Sequence, residues 1–213
     1  KMSEALPVVL PGDNVTTHID GKTQKLGVGL RLEETSQLVY ATCAGQLQRR
    51  KNVYFVRQNL RRYHRVSLED RIVGIVQDRS GPDGAGGDLH LVHIAGSQFG
   101  ILSSLQFEGA TKRNKPSLQP GQLVYARISN LHDNMLDPSL SCINGPHDAG
   151  VPRKDWMTSE GCYGILKGGT CCKISLGLAR ELLSTSNVVL NALAATKIPF
   201  ELSIGVNGIL WIH

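Results

Sequence analysis

The sequence predicts a mostly β protein with a smaller α/β part, arranged as three consecutive domains. Three observations support this fold class. Short apolar runs alternate with Gly, Pro and Asp turns along the first two thirds of the chain, helical spacing is confined to the last third, and 41% of the 213 residues are hydrophobic, enough to bury small cores. The predicted domains are residues 1–65, 66–145 and 146–213.

Residues 1–65 have the pattern of a small β-domain. Period-two alternation punctuated by Gly and Asp is typical of short strands, and the run Ile19–Lys22 suits a hairpin turn. The predicted strands are Val8–Leu10, Gly27–Leu32, Gln37–Thr42 and Asn52–Arg57.

Positive charge is concentrated in this first domain. The whole chain has a net charge of +5, whereas residues 1–65 contain 11 Lys and Arg against 5 Asp and Glu. Cations interleaved with aromatic residues suit either a nucleic-acid surface or a protein interface, and both alternatives stay open. The candidate contact residues are Arg49, Arg50, Lys51, Arg57, Arg61 and Arg62.

Residues 66–145 contain five regularly spaced apolar runs. Gly74 suits the sharp coil of a barrel strand, and Pro120-Gly121 provides a turn before the fourth run. The count and spacing predict an open five-stranded Greek-key barrel of the OB type, with the glycine-rich insert Ser80–Asp88 as a mobile hairpin tip. The five predicted strands are Arg71–Gln77, Asp88–Ile94, Phe99–Leu105, Gln122–Ile128 and Leu140–Ile143.

Residues 146–213 change to a β-α-α-β-β pattern, which is typical of a KH module. A first hairpin is predicted from Gly161–Leu166 and Thr170–Lys173 around Lys167-Gly168-Gly169. The helices are predicted at Ile174–Leu183 and Asn187–Thr196, and the last two strands at Phe200–Ile204 and Ile209–Ile212.

A G-x-N-G motif, Gly205-Val206-Asn207-Gly208, lies between the last two strands. A KH module that clamps nucleotides carries its GXXG loop between the two helices, but Ser184–Asn187 at that place has no glycine. We therefore interpret Gly205, Asn207 and Gly208 as a structural turn and the KH module as degenerate for RNA binding.

Three of the four consecutive residues 112–115, within the segment Phe107–Pro116, are cations. Lys112, Arg113 and Lys115 cannot be buried without partners, so we expect them to project from a loop where they could bind phosphate. A solvated basic loop without a ligand is the alternative.

Catalytic constellations are missing from the sequence. There is no G-x-S-x-G elbow, no H-E-x-x-H pair and no P-loop lysine, so no catalytic residue is expected. His90 and His93 would face opposite sides of one strand, and the five cysteines form no C-x-x-C pair, so neither metals nor cofactors are expected. Without a long apolar run or a secretory signal, we expect an intracellular protein without a membrane partner.

On these residues the chain resembles the S1/KH cap subunits of the eukaryotic RNA exosome. The domain order is that of the family, with the barrel as an S1 domain. The likeness is carried by Phe107–Pro116, Leu118–Arg127 and Ile204–Ile212, and Val8–Asp13 and Arg71–Val76 agree with it.

The resemblance implies a non-catalytic protein that binds a ring of six RNase PH-like subunits beside other cap subunits. Such a protein stabilises the assembly and guides single-stranded RNA toward a separate nuclease for 3'-5' processing and degradation. It also implies that Lys112, Arg113 and Lys115 face the RNA path, that the G-x-N-G turn is buried, and that a further helix follows Ile212. The expected location is the nucleus and nucleolus, and also the cytoplasm.

Other functions remain as alternatives at this stage. The chain could be a sister cap subunit, a stand-alone S1/KH module that binds single-stranded RNA, or a nuclease. S1 domains stack bases on strand aromatics, whereas the equivalent strand here offers His90, Leu91, Val92 and His93, so sequence-specific stacking is not expected.

Overall fold

Over the residues that it describes, the computed structural model is mostly β with two short α-helices, and it confirms the predicted fold class. The chain divides into two units, residues 1–59 and 60–213. The structure describes residues 7–19, 25–58, 63–80, 88–132, 136–158, 160–184, 187–196 and 198–213, with the backbone alone for residues 78–80.

The first unit consists of short strands around a small apolar core. Strands β1, β5 and β6 pair antiparallel, β2 joins β6 in parallel, and β3 and β4 form a separate pair. Leu47 and Val15 are almost fully buried in the core. The strands are β1 (Val8–Val9), β2 (Lys25–Leu26), β3 (Leu30–Leu32), β4 (Val39–Ala41), β5 (Gly45–Arg50) and β6 (Val53–Arg57).

Strand β5 was not predicted from the sequence. Its residues, Gly-Gln-Leu-Gln-Arg-Arg, include a single apolar side chain, Leu47, and so show little alternation. The predicted hairpin turn at Ile19–Lys22 falls mainly on residues 20–24, which lie outside the described residues.

All five predicted barrel strands are present in the second unit. They are arranged in the order β11-β9-β8-β7-β10, and β10 also pairs with β11, so the barrel is closed rather than open. A Cβ at Gly74 would collide with Cγ1 of Val92, so the inward coil of β7 needs glycine there. The strands are β7 (Arg71–Ser80), β8 (Leu89–His93), β9 (Phe99–Phe107), β10 (Leu123–Asn130) and β11 (Ser139–Cys142).

The predicted hairpin after residue 160 is wrong. Strand β12 (Gly164–Leu166) pairs antiparallel with β10 and extends the barrel sheet, whereas β13 (Thr170–Lys173) pairs with β15 (Ile209–Ile212) in another sheet. Gly168 and Gly169, both at φ +68°, turn the chain from one sheet to the other. The apolar side chains of β12 pack against the barrel core, which stabilises this pairing.

The predicted β-α-α-β-β order of the KH module is confirmed. Strands β13, β15 and β14 (Leu202–Ile204) form a three-stranded sheet. Helix α1 (Leu176–Leu182) begins where Ser175 Oγ accepts from Leu178 N at 3.2 Å. Helix α2 (Val188–Ala195) is capped by Asn187, whose Oδ1 accepts from the backbone N–H groups two and three residues later.

Asn207 joins the last hairpin to the barrel. Its side chain is buried, and Nδ2 donates to the carbonyl oxygens of Val73 at 2.8 Å and Ile94 at 2.9 Å. The neighbouring Val206 N donates to Arg71 O at 2.8 Å. The turn from Gly205 to Gly208 is therefore docked on strand β7.

A second buried contact ties the segment after the barrel to the same strand. The Arg71 guanidinium donates to the Asp148 carboxylate at 2.6 Å, and the Tyr163 hydroxyl donates to it at 3.0 Å. Gly145 N donates to the same carboxylate at 2.8 Å. Because Asp148 is almost inaccessible to water, these donors offset the cost of burying its charge.

We expect Asn207→Ala to lower the free energy of unfolding by about 2–5 kcal/mol, because two buried carbonyls lose their side-chain donor. Urea denaturation followed by circular dichroism measures the change. Asn191→Ala, on the exposed surface of α2, is the matched control and should cost less than about 0.5 kcal/mol. Equal effects of the two substitutions would contradict the docking role of Asn207.

Alkaline pH should destabilise the second unit. Burial raises the pKa of Tyr63, Tyr125 and Tyr163 above the ordinary 10.0, and that of Tyr125 reaches about 12. Between pH 10.0 and the raised pKa of each tyrosine, the hydroxyl is ionised in the unfolded chain but still protonated in the folded chain. The free energy of unfolding therefore falls as pH rises.

For Tyr125 alone the expected loss is about 1.4 kcal/mol per pH unit between pH 10.0 and about 12. Urea denaturation at stepped pH tests this, with Tyr125→Phe as the comparison. That variant should lose less stability per pH unit than the parent chain, and parallel pH profiles would rule out the effect.

Candidate nucleic-acid interface

The basic loop (Phe107–Pro116) ends in a two-residue tip. Thr111 N donates to Asn114 O at 2.8 Å, and Asn114 N donates back to Thr111 O at 3.1 Å. Lys112 and Arg113 are the two residues between these hydrogen bonds, and both are exposed. The chain thus presents two adjacent cations at the end of a narrow turn.

The base of the basic loop is held by the segment that follows the barrel. Phe107 is buried in the barrel core, and Glu108 O accepts from Trp156 N at 3.0 Å. Gly109 has φ +77°, a backbone conformation that favours glycine, and a Cβ there would also displace the Asp155 carboxylate, 2.6 Å away. The tip therefore stands on a base fixed by packing and by hydrogen bonds.

Lys115 has a different environment from the two tip cations. Its Nζ forms an ion pair with Asp88 Oδ1 just before β8, and its side chain is 33% exposed. Within the described ranges, Lys112 and Arg113 have no ion-pair partner. The three cations predicted as one cluster lie close together in the chain. Lys115 is paired with a carboxylate, whereas the two tip cations have no such partner within the described ranges.

Two further cations near the basic loop were missed by the sequence analysis. Arg153 Nε lies 3.9 Å from Glu108 Oε1, and Lys154 forms an ion pair with Glu160. The bond to Lys154 lowers the pKa of Glu160. Both of these cations are therefore paired with carboxylates.

Strand alternation divides the candidate cations of the first unit. Arg49 lies opposite Tyr54 and places its guanidinium 5.5 Å from the ring centre, whereas Arg50 points to the other side of the sheet. Lys51 lies in the turn between β5 and β6, at φ +54°. Arg57 ends β6, and Arg61 and Arg62 lie outside the described residues.

His90 and His93 occupy opposite sides of β8. His90 is buried, with Nε2 2.9 Å from Ser104 Oγ. His93 packs edge-on against Phe99, with 6.0 Å between ring centres, and Phe99 is 42% exposed. This aromatic pair forms across the β8–β9 hairpin, so the pattern of a single strand does not predict it.

A cavity of about 530 Å³ lies between the barrel and the KH module. Trp211, on its wall, donates from Nε1 to Gly168 O at 2.9 Å and stacks on His213. The described residues contain no group of three or more His, Cys, Asp or Glu side chains that could hold a metal ion. In the same part of the chain, no helix has both the length and the apolar character needed to cross a membrane.

Comparisons with known proteins find one consistent family. Residues 65–151 match the model of the S1 domain of exosome complex component RRP40, and residues 169–213 match a KH domain model. Exosome complex component RRP40 of Drosophila melanogaster is 32% identical over 99% of this chain and 83% of its own length. The Schizosaccharomyces pombe protein is 31% identical over 98% and 81%, and the human one 34% over 75% and 51%.

Proposed function

This chain belongs to the family of exosome complex component RRP40, and we propose that it acts as a non-catalytic cap subunit of an RNA exosome. Membership confirms the resemblance to S1/KH cap subunits and, among them, to ribosomal RNA-processing protein 40. In this proposal the chain binds RNase PH-like ring subunits beside other cap subunits. It stabilises that assembly and guides single-stranded RNA to the central channel for 3'-5' processing and degradation.

The main support for the RNA-guiding role is the exposed Lys112–Arg113 tip, which extends from a fixed base. Long cationic side chains bind phosphate oxygens whatever the base sequence. A passage for many different RNAs needs such contacts, because base-specific hydrogen bonds would hold some sequences and reject others. The basic loop therefore suits a guiding surface better than a sequence-reading one.

The KH module supports a structural role for the carboxyl-terminal third. The side-chain amide of Asn207 donates hydrogen bonds to carbonyl oxygens of the barrel. The segment Ser184–Asn187 contains no glycine that could form a nucleotide clamp. This arrangement favours a cap subunit over a stand-alone S1/KH module, which would need its own clamp. We assign the RNA contact to the basic loop and a packing role to the last hairpin.

The cations of the first unit are proposed as contacts with ring subunits or RNA. Arg49 is held against Tyr54, and its Nε donates to Lys51 O at 3.1 Å, so its guanidinium is ordered before any partner binds. The proposed location of the protein is the nucleus and nucleolus, and also the cytoplasm.

We expect the tagged chain to co-purify with RNase PH-like ring subunits from its source cells, as measured by mass spectrometry. The isolated chain should show no divalent-metal-dependent turnover of labelled RNA. A stand-alone module would bind short RNA tightly without ring proteins, and a nuclease would degrade it. Recovery of the chain without any ring subunit would refute the cap assignment.

Reversing Lys112, Arg113 and Lys115 to Glu should weaken RNA protection by the assembled complex roughly tenfold, because the basic loop would then repel phosphate. Protection of a labelled single strand from added nuclease measures the effect.

The matched control reverses three exposed cations elsewhere, Lys25, Lys173 and Arg180, and should leave protection within about twofold. Both variants must first assemble to the same extent as the parent chain. Undiminished RNA crosslinking in the loop variant would show that the basic loop does not contact RNA.

A further inference from the structure

The basic loop contains two kinds of cation, and this difference refines the proposed function on which the inference rests. Lys112 and Arg113 lie between the reciprocal hydrogen bonds of Thr111 and Asn114, and both are exposed. Lys115 lies beyond the tip, on the limb that returns to the barrel. The next residue, Pro116, is buried.

The carboxylate partner of Lys115 is itself fixed to the barrel. Asp88 precedes β8, and its backbone oxygen accepts from Ser104 N of β9 at 2.7 Å. The ion pair between Asp88 and Lys115 therefore links the returning limb to the β8–β9 hairpin. On the other limb, Glu108 O accepts from Trp156 N. Each limb of the basic loop thus has its own attachment.

An approaching phosphate meets different conditions at the two places. At the tip it meets two cations that have no carboxylate partner among the described residues. At Lys115 it would have to displace Asp88, which already neutralises the ammonium group. Since RNA binding gains free energy by releasing counterions from phosphates, a neutralised cation adds little to it.

We propose that Lys115 is a positioning residue, whose ion pair with Asp88 orients the tip, and that Lys112 and Arg113 make the phosphate contacts of the basic loop. Lys115 then acts on RNA through the geometry of the loop. Asp88, which follows the glycine-rich insert, becomes part of the RNA-guiding surface without touching RNA.

The salt dependence of binding separates these roles. Fluorescence anisotropy would follow binding of the full chain to a short labelled oligouridylate between about 50 and 200 mM KCl. Lys112→Gln and Arg113→Gln should each reduce the slope of log affinity against log salt by about 0.7, the value for one phosphate contact on a single strand. Lys115→Gln should leave the slope unchanged while lowering affinity. An equal drop in slope for Lys115→Gln would overturn the proposal.

A charge swap provides the second readout. Lys115→Asp should weaken binding, and the double variant Asp88→Lys with Lys115→Asp should restore the affinity of the parent chain, because the ion pair is rebuilt in reverse. If Lys115 contacted phosphate, the double variant would stay as weak as Lys115→Asp. Urea denaturation of every variant checks that the fold is retained.

The outcomes for the inference and for the proposed function are distinct. If tip variants bind RNA with the parent slope while the chain still co-purifies with ring subunits, the assignment of the tip is wrong and the cap function stands. If the parent chain recruits no ring subunits, the proposed function fails, and the slopes still show which cations contact RNA.

Discussion

The second unit depends on the docking of the last hairpin on strand β7. The buried Asn207 amide donates to two barrel carbonyls, and Val206 N donates to Arg71 at the start of the same strand. The side chain of Arg71 in turn binds Asp148, in the segment whose later part supports Glu108. Strand β7 therefore binds the KH module through its backbone groups. The side chain of its first residue, Arg71, helps to position the base of the basic loop through Asp148.

The fold could be predicted where local patterns determine it. The five barrel strands are regularly spaced apolar runs, and both helices have capping side chains at their first turns. Strand β5 was missed because hydrogen bonds to its neighbours, rather than an apolar pattern, define it. The partner of β12 could not be inferred, because its three residues would suit either sheet and two glycines decide the direction of the chain.

The cations of the candidate site could be predicted from the sequence, but their ion-pair partners could not. The cluster of Lys112, Arg113 and Lys115 is evident from the sequence, but the carboxylate that neutralises Lys115 lies 27 positions earlier, before strands β8 and β9. Likewise the His93–Phe99 pair depends on strand register, and the separation of Arg49 from Arg50 depends on which face of the sheet is buried. The ion pair and the aromatic pair are contacts between different strands or loops, and the pattern of a single segment does not encode them.

The ion pairs of the cations near the tip limit how far its attraction extends. Under physiological ionic strength the Debye length is about 8 Å, so two exposed cations among paired neighbours act only on a strand that is already close. Such a surface cannot accelerate the capture of distant RNA in the way that a broad basic field does. In the proposed function, the tip therefore helps to retain RNA that is already close, and the rate of RNA arrival depends on other surfaces.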